Sequence, residues 1–223
     1  MIVPVRSHSL HDPLAGADTV APADARRDIA THGILCCGDV VEIGWPDEDE
    51  FDRLTTLRNR SHVRTGFLDP RPLDPAANRV WLRSGMRRPV DALLAMRLCA
   101  TGALCGMIGW TGWTSTSRTL ELGRIVVDRD LVRRARHPRW RSPEGIAVDA
   151  AKALCDYLFA IAGARALRST YIIANRHAAR VNRLAGGRIV GTASVPCADG
   201  TFADVAKVEL TRDDWLRFRS VRR

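Results

Sequence analysis

The chain has 223 residues, with 34 basic and 25 acidic side chains, a net charge of +9 and an apolar fraction of 46%. That length suits one domain with appendages or two small ones, and the apolar fraction supplies a sizeable core, which excludes wholesale disorder. The surplus cations, arginine everywhere except Lys152 and Lys207, point to a polyanionic partner: nucleic acid, acidic lipid or a phosphorylated ligand.

Residues 1–33 are rich in Asp, Ala, Pro and Gly and lack apolar periodicity. They read as a mobile arm, with a partner-binding or dimer-swapping arm as the alternative. Ser7 to Ala17 is too polar for a signal-peptide core. Val40 to Trp45 reads as a strand. Pro46 and the acids Asp47 to Glu50 then open a helix whose apolar positions are Phe51, Leu54, Leu57 and Val63. Asp74-Pro75 starts a second helix that runs through Val80-Trp81-Leu82. Ala92 to Leu98 and Leu104 to Trp113 are strands joined by Ala100-Thr101-Gly102, and Leu120 to Val127 is a further strand.

The stretch Val132 to Arg141 reads as an arginine-rich loop. Ser142, as N-cap, and Pro143, as first helical residue, begin a long helix with an apolar stripe from Ile146 to Ile161 that Gly163 stops. Leu167 to Ala174 is a strand. Asn175 caps another helix that ends at Gly186-Gly187. Ile189 to Val195 and Phe202 to Leu210 are strands around the hairpin signal Asp199-Gly200. The sequence therefore predicts an α/β (α+β mixed) fold, a mixed, mostly antiparallel sheet with helices on both faces. The domain spans 34–213, and a basic C-terminal tail follows from 214 to 223.

No run of 18 apolar residues occurs, so no membrane span is expected. Six cysteines form no C-x-x-C pair and are expected as buried, reduced thiols of a cytoplasmic protein. The six histidines show no metal spacing, so no metal is expected.

Three local patterns resemble the GCN5-related N-acetyltransferase (GNAT) superfamily, over roughly residues 36–212. Glu121-Leu122-Gly123-Arg124-Ile125-Val126-Val127 followed by Gly145-Ile146-Ala147 is similar to that family's fourth strand and its pyrophosphate loop, Q/R-x-x-G-x-G/A. Asn175-Arg176-His177-Ala178, Val181, Leu184 and Gly186 resemble its N-x-x-A/S-x-x-V-x-x-x-x-G-F segment. Leu57-Arg58-Asn59 with Trp81-Leu82 resembles the first helices of members acting on protein N-termini, antibiotics and amino sugars. The sequence departs from the pattern too. Ser142 stands at the Gln/Arg position, Glu144 or Pro143 lies where phosphate would sit, Gly187 replaces the final Phe, and Asn182 holds the place of a general-acid Tyr.

The resemblance implies direct attack of an amine on an activated acyl donor, with no cofactor beyond that donor. Glu121 is the candidate base, and a backbone N–H near Ile125, Val126 or Val127 the oxyanion donor. Asn175 would hydrogen-bond the donor chain. Gly145, Ile146 and Ala147 offer a helix N-terminus to its phosphates. Arg58, Asn59 and Arg64 would line the acceptor pocket. Arg133, Arg134, Arg136, Arg139, Trp140 and Arg141 form a candidate phosphate- or nucleic-acid-binding lid. That basic loop and the altered phosphate motif together favour an aminoacyl-tRNA as donor. Acetyl-CoA with a small amine or a protein N-terminus as acceptor is the alternative, and a non-catalytic nucleic-acid-binding module is the third. A small-molecule or peptide amine is the expected acceptor, and the chain is expected as a monomer or homodimer.

Overall fold

The computed structural model describes residues 34–85, 90–135 and 142–220. The 1–33 arm, Arg136, Arg139, Trp140 and Arg141, and Arg222 and Arg223 lie outside the described residues.

Eight strands form one sheet: β1 (Ile34–Cys37), β2 (Val41–Gly44), β3 (Ala92–Leu98), β4 (Leu104–Thr111), β5 (Thr119–Val127), β6 (Ala166–Ile172), β7 (Arg188–Pro196) and β8 (Phe202–Thr211). Their order is β1-β2-β3-β4-β5-β6-β8-β7. Neighbours are antiparallel except β5 and β6, which run parallel. The helices are α1 (Phe51–Asn59), α2 (Ser61–Arg64), α3 (Pro75–Gly85), α4 (Arg129–Ala135), α5 (Pro143–Ala160), α6 (Arg176–Leu184) and α7 (Arg212–Ser220), with a 3-10 turn at Glu48–Glu50.

Both faces of the sheet are covered, as predicted. Leu94 and Met96 of β3 pack into the core beneath α5, whereas Leu93 and Ala95 pack with Phe51, Leu54 and Leu57 of α1. Two-sided burial explains why β3 and β4 read as continuous apolar runs rather than alternating ones. Ser142 caps α5 as expected: its Oγ accepts from the Gly145 N–H at 3.1 Å, with Pro143 at the first position. Gly163 follows the end of α5 at φ 71°, a left-handed conformation that favours glycine.

Four sequence expectations are corrected. β1 is a separate strand ahead of β2. The first helix is interrupted at Arg60, whose ψ of 134° is not helical, so α1 and α2 are distinct. Residues 132–135 belong to α4 rather than to the arginine loop, because the Asp128 carboxylate starts that helix by accepting from the N–H groups of Asp130 and Leu131, both at 3.2 Å. Residues 214–220 belong to α7 rather than to a solvated tail. Thr211 and Asp214 cap that helix reciprocally, at 3.1 and 2.8 Å, and buried Trp215 stacks on Phe159 with ring centres 5.2 Å apart. Among the cysteines, Cys105 and Cys155 are buried, and burial pushes both thiols up to about 12, but Cys37 and Cys99 are exposed.

The Trp215 indole also donates to Asp156 at 2.6 Å. Trp215→Phe keeps the stack and loses this bond. We expect a loss of about 1 kcal/mol in denaturant unfolding, with α7 retained. An unchanged midpoint would show that the bond contributes nothing.

Candidate functional site

Strands β5 and β6 pair only at Thr119↔Ala166, Leu120↔Leu167 and Glu121↔Arg168. Beyond Glu121 the parallel register stops, while β5 continues beside β4 to Val127 and β6 beside β8 to Ile172. The sheet therefore opens into a wedge between the C-terminal halves of these two strands. β5 is also bulged. Met107 opposes Val126 and Gly109 opposes Gly123, so Arg124 and Ile125 share one facing residue. Arg124 has φ 56°, which costs a non-glycine residue about 1 kcal/mol or more. Its side chain holds it there, bonded to Asp91 at 2.5 Å and lying 4.9 Å from the Trp81 ring centre. The bulge, at Arg124 and Ile125, adjoins the Ile125 to Val127 stretch proposed from the sequence as the backbone donor.

The N-terminus of α5 stands beside the wedge. Gly145 is exposed there, whereas Ile146 and Ala147 are turned into the core. Glu144 reaches across to α6, accepting from His177 Nδ1 at 2.5 Å and pairing with Arg180 Nε at 3.4 Å. A groove of about 800 Å³ runs from Glu144 along α6, past Arg176 and Arg183, to Tyr171, Ile189 and Val208 of β6, β7 and β8. Asn175 caps α6, its Oδ1 accepting from the Ala178 N–H at 3.1 Å.

The segment 60–73 spans the opposite face of the wedge. At one end Arg60 donates to Asp128, at the end of β5, at 2.9 Å. At the other, Gly66 lies against Asn175: a Cβ on it would stand 3.0 Å from the Asn175 amide nitrogen. The Ala198 N–H of the β7–β8 hairpin donates to the Leu68 carbonyl at 3.1 Å. Asn59 ties the segment's ends, donating to the Leu73 carbonyl at 2.8 Å and accepting from its N–H at 2.7 Å. One hydrogen-bonding site at each end of its amide is thus used, which makes Asn59 an anchor of the loop. Arg58 is 9% exposed, lies 3.7 Å from the Phe67 ring centre, and donates to the Asp69 carbonyl at 2.7 Å. Arg64 donates to the Pro70 carbonyl at 3.1 Å.

Leu120 and Leu122 face α5, so period-two alternation puts Glu121 on the face that carries α1. Glu121 is exposed and its carboxylate has no hydrogen-bond partner among the described residues; Arg124, three residues on, is bonded to Asp91. Of the expected lid, Arg133 is ion-paired with Asp130, and Arg134 is exposed on α4.

Sequence reasoning missed Asp128. It is buried and paired with Arg60, with Arg53 at 3.7 Å. Burial pushes its carboxyl up, but the Arg60 hydrogen bond, the Leu131 and Asp130 N–H groups and the Arg60 charge outweigh this, and the net direction is down. A carboxyl depressed in the folded state stabilises above its ordinary value near 4 and loses that contribution as pH falls. Asp128→Asn should therefore cost about 2 kcal/mol at pH 7 and much less at pH 3, by denaturant unfolding at both. An equal cost at both values would exclude the charge as the cause.

No family model matches the sequence, and no curated protein does either. Solved structures do. A GNAT-family acetyltransferase from Bacillus anthracis superposes with TM-score 0.65 at 16% identity, over 80% of this chain and 99% of its own. A spermidine N-acetyltransferase from Vibrio cholerae, in complex with CoA and spermine, gives 0.66 at 13% identity over 79% and 98%. A GCN5-related N-acetyltransferase from Brucella melitensis gives 0.64 at 17% identity over 83% and 82%. The fold is that of the GCN5-related N-acetyltransferases.

Proposed function

We propose that the chain is an N-acyltransferase that takes an acetyl group from acetyl-CoA and passes it to an amine. The observation that carries this reading is the wedge between β5 and β6, with a bulged strand on one side and a capped helix N-terminus at its edge. A CoA-bound spermidine N-acetyltransferase with the same fold supports the choice of donor. The amine nitrogen attacks the thioester carbonyl, the C–N bond forms, and the C–S bond breaks. N–H groups of the Ile125–Val127 segment stabilise the oxyanion, and Glu121 takes the amine's proton directly or through water. Gly145 and the start of α5 receive the phosphates, and Asn175 faces the donor chain from α6.

An aminoacyl-tRNA donor has less support. Arg133 is already paired with an acid, and no similar structure reported above names tRNA. The test is calorimetry with acetyl-CoA, where binding in the low micromolar range is expected. A titration with no heat, together with a gel shift by charged tRNA at low salt, would replace this reading with the nucleic-acid one. Glu144 lies where phosphate would bind and repels it. Glu144→Gln should tighten acetyl-CoA about threefold to tenfold in the same titration; an unchanged or weakened Kd would remove Glu144 from the donor site.

A further inference from the structure

From the side chains beneath the 65–70 loop we infer that Arg58 and Arg64 form an oxyanion-binding pair that recognises a carboxylate on the acceptor, which makes the acceptor an amino carboxylate of the α-amino-acid class. The inference rests on the acyltransferase reading, because that reading makes this side of the wedge an acceptor site.

Most arginines of the layer containing α1 to α3 are matched to acids. Arg53 and Arg60 meet Asp128, Arg79 meets Asp52, Arg83 meets Glu48, and Arg71 meets Asp69. Arg58 and Arg64 have only backbone carbonyls as hydrogen-bond partners among the described residues. Arg58 Nη1 and Arg64 Nε are buried with no partner at all. Asp69, whose charge acts on Arg58, gives its carboxylate hydrogen bonds to Arg71, at 2.9 and 2.6 Å. A buried guanidinium with no carboxylate bonded to it is costly, and a second cation beside it raises the cost. A carboxylate is the anion such donors call for, since its two oxygens suit the fork of an arginine.

Location supports the same conclusion. Both side chains sit under the 60–73 segment, which reaches Asp128 at the end of β5 and Asn175 after β6. That segment borders the wedge, so a carboxylate held under it lies on the wedge's 60–73 side. Half-buried Phe67 lies over the Arg58 plane and screens this guanidinium from water.

The test uses the full chain and matched probes: L-leucine, L-phenylalanine and L-glutamate against their α-amides, with spermidine as the cationic control. In thermal melts, at least one free amino acid should raise the Tm and its amide should not, with the difference lost in Arg64→Gln. In turnover with acetyl-CoA, the free acid should exceed its amide about tenfold to a hundredfold in kcat/KM, and Arg64→Gln should bring the two near parity through KM, leaving the acetyl-CoA Kd unchanged. Arg64→Lys, which keeps the charge and loses the fork, should fall between. Equal response to acid and amide across the panel, or preference for spermidine, overturns the inference. Failure of acetyl-CoA to bind would overturn the donor reading alone, because the carboxylate-dependent melt does not require it.

Discussion

Replacing Asp149 with alanine should lower the unfolding free energy by about 3–5 kcal/mol and the Tm by about 10 °C. This carboxylate, on α5, accepts from three successive backbone N–H groups of the β1–β2 turn: Asp39 and Val40 at 2.9 Å and Val41 at 3.1 Å. Charge-assisted bonds to backbone donors are the strong class, and two of the three donors, those of Val40 and Val41, are part-buried and lose their acceptor once the side chain is gone. The approach is close enough to dictate the neighbouring residue. A Cβ on Gly38 would stand 2.3 Å from Asp149 Oδ2, so no other side chain fits without movement. Gly38→Ala alone is accordingly destabilising, but in the Asp149→Ala background its cost should shrink, because the atom it strikes is gone. Chemical denaturation of the two single variants and the double closes the cycle. A single-variant loss below about 1 kcal/mol for Asp149→Ala, or strict additivity, would show that the contact is incidental.

Glu121→Gln should lower kcat by about a hundredfold or more while leaving the acetyl-CoA Kd unchanged. The amide is isosteric, so packing and strand pairing persist, and only the capacity to take a proton is lost. The exposed position makes a stability effect small, which separates this variant from Asp149→Ala: the first should lose activity at a constant Tm, the second should lose Tm. Turnover within about threefold of the parent enzyme would show that Glu121 is not the base.

Local chemistry was readable where a signal and its effect lie within a few residues. Ser142-Pro143 and Asn175 each announce the helix they cap, and the two helix N-termini at the wedge were found this way. Two further signals of the same kind were present and outweighed. Thr211-Arg212-Asp213-Asp214 is a capping-box sequence, yet the arginines after it favoured a tail. Asp128 stands as an N-cap before α4, yet the arginines that follow favoured a loop. In both places charge masked a short amphipathic helix whose burial rests on one or two side chains, Trp215 or Val132. β1 is four residues long and carries two adjacent cysteines, too little for a period to register. The proposed acceptor side was least legible because it depends on tertiary pairings. Asn59 with Leu73, Arg60 with Asp128 and Gly66 with Asn175 link positions from 14 to 109 residues apart, and no local pattern distinguishes an arginine that will find an acid from one that will not.

The three-pair seam between β5 and β6 has a consequence for exchange with solvent. Backbone groups of the two strands that turn toward the wedge have no ladder partner past Glu121, so they depend on water or a bound molecule. Their amide protons should exchange early in deuterium, while amides facing β4 and β8 in the same strands stay protected. An alternating pattern of fast and slow sites, residue by residue, would thus trace the wedge in solution. Addition of acetyl-CoA should slow the fast set without altering the slow one.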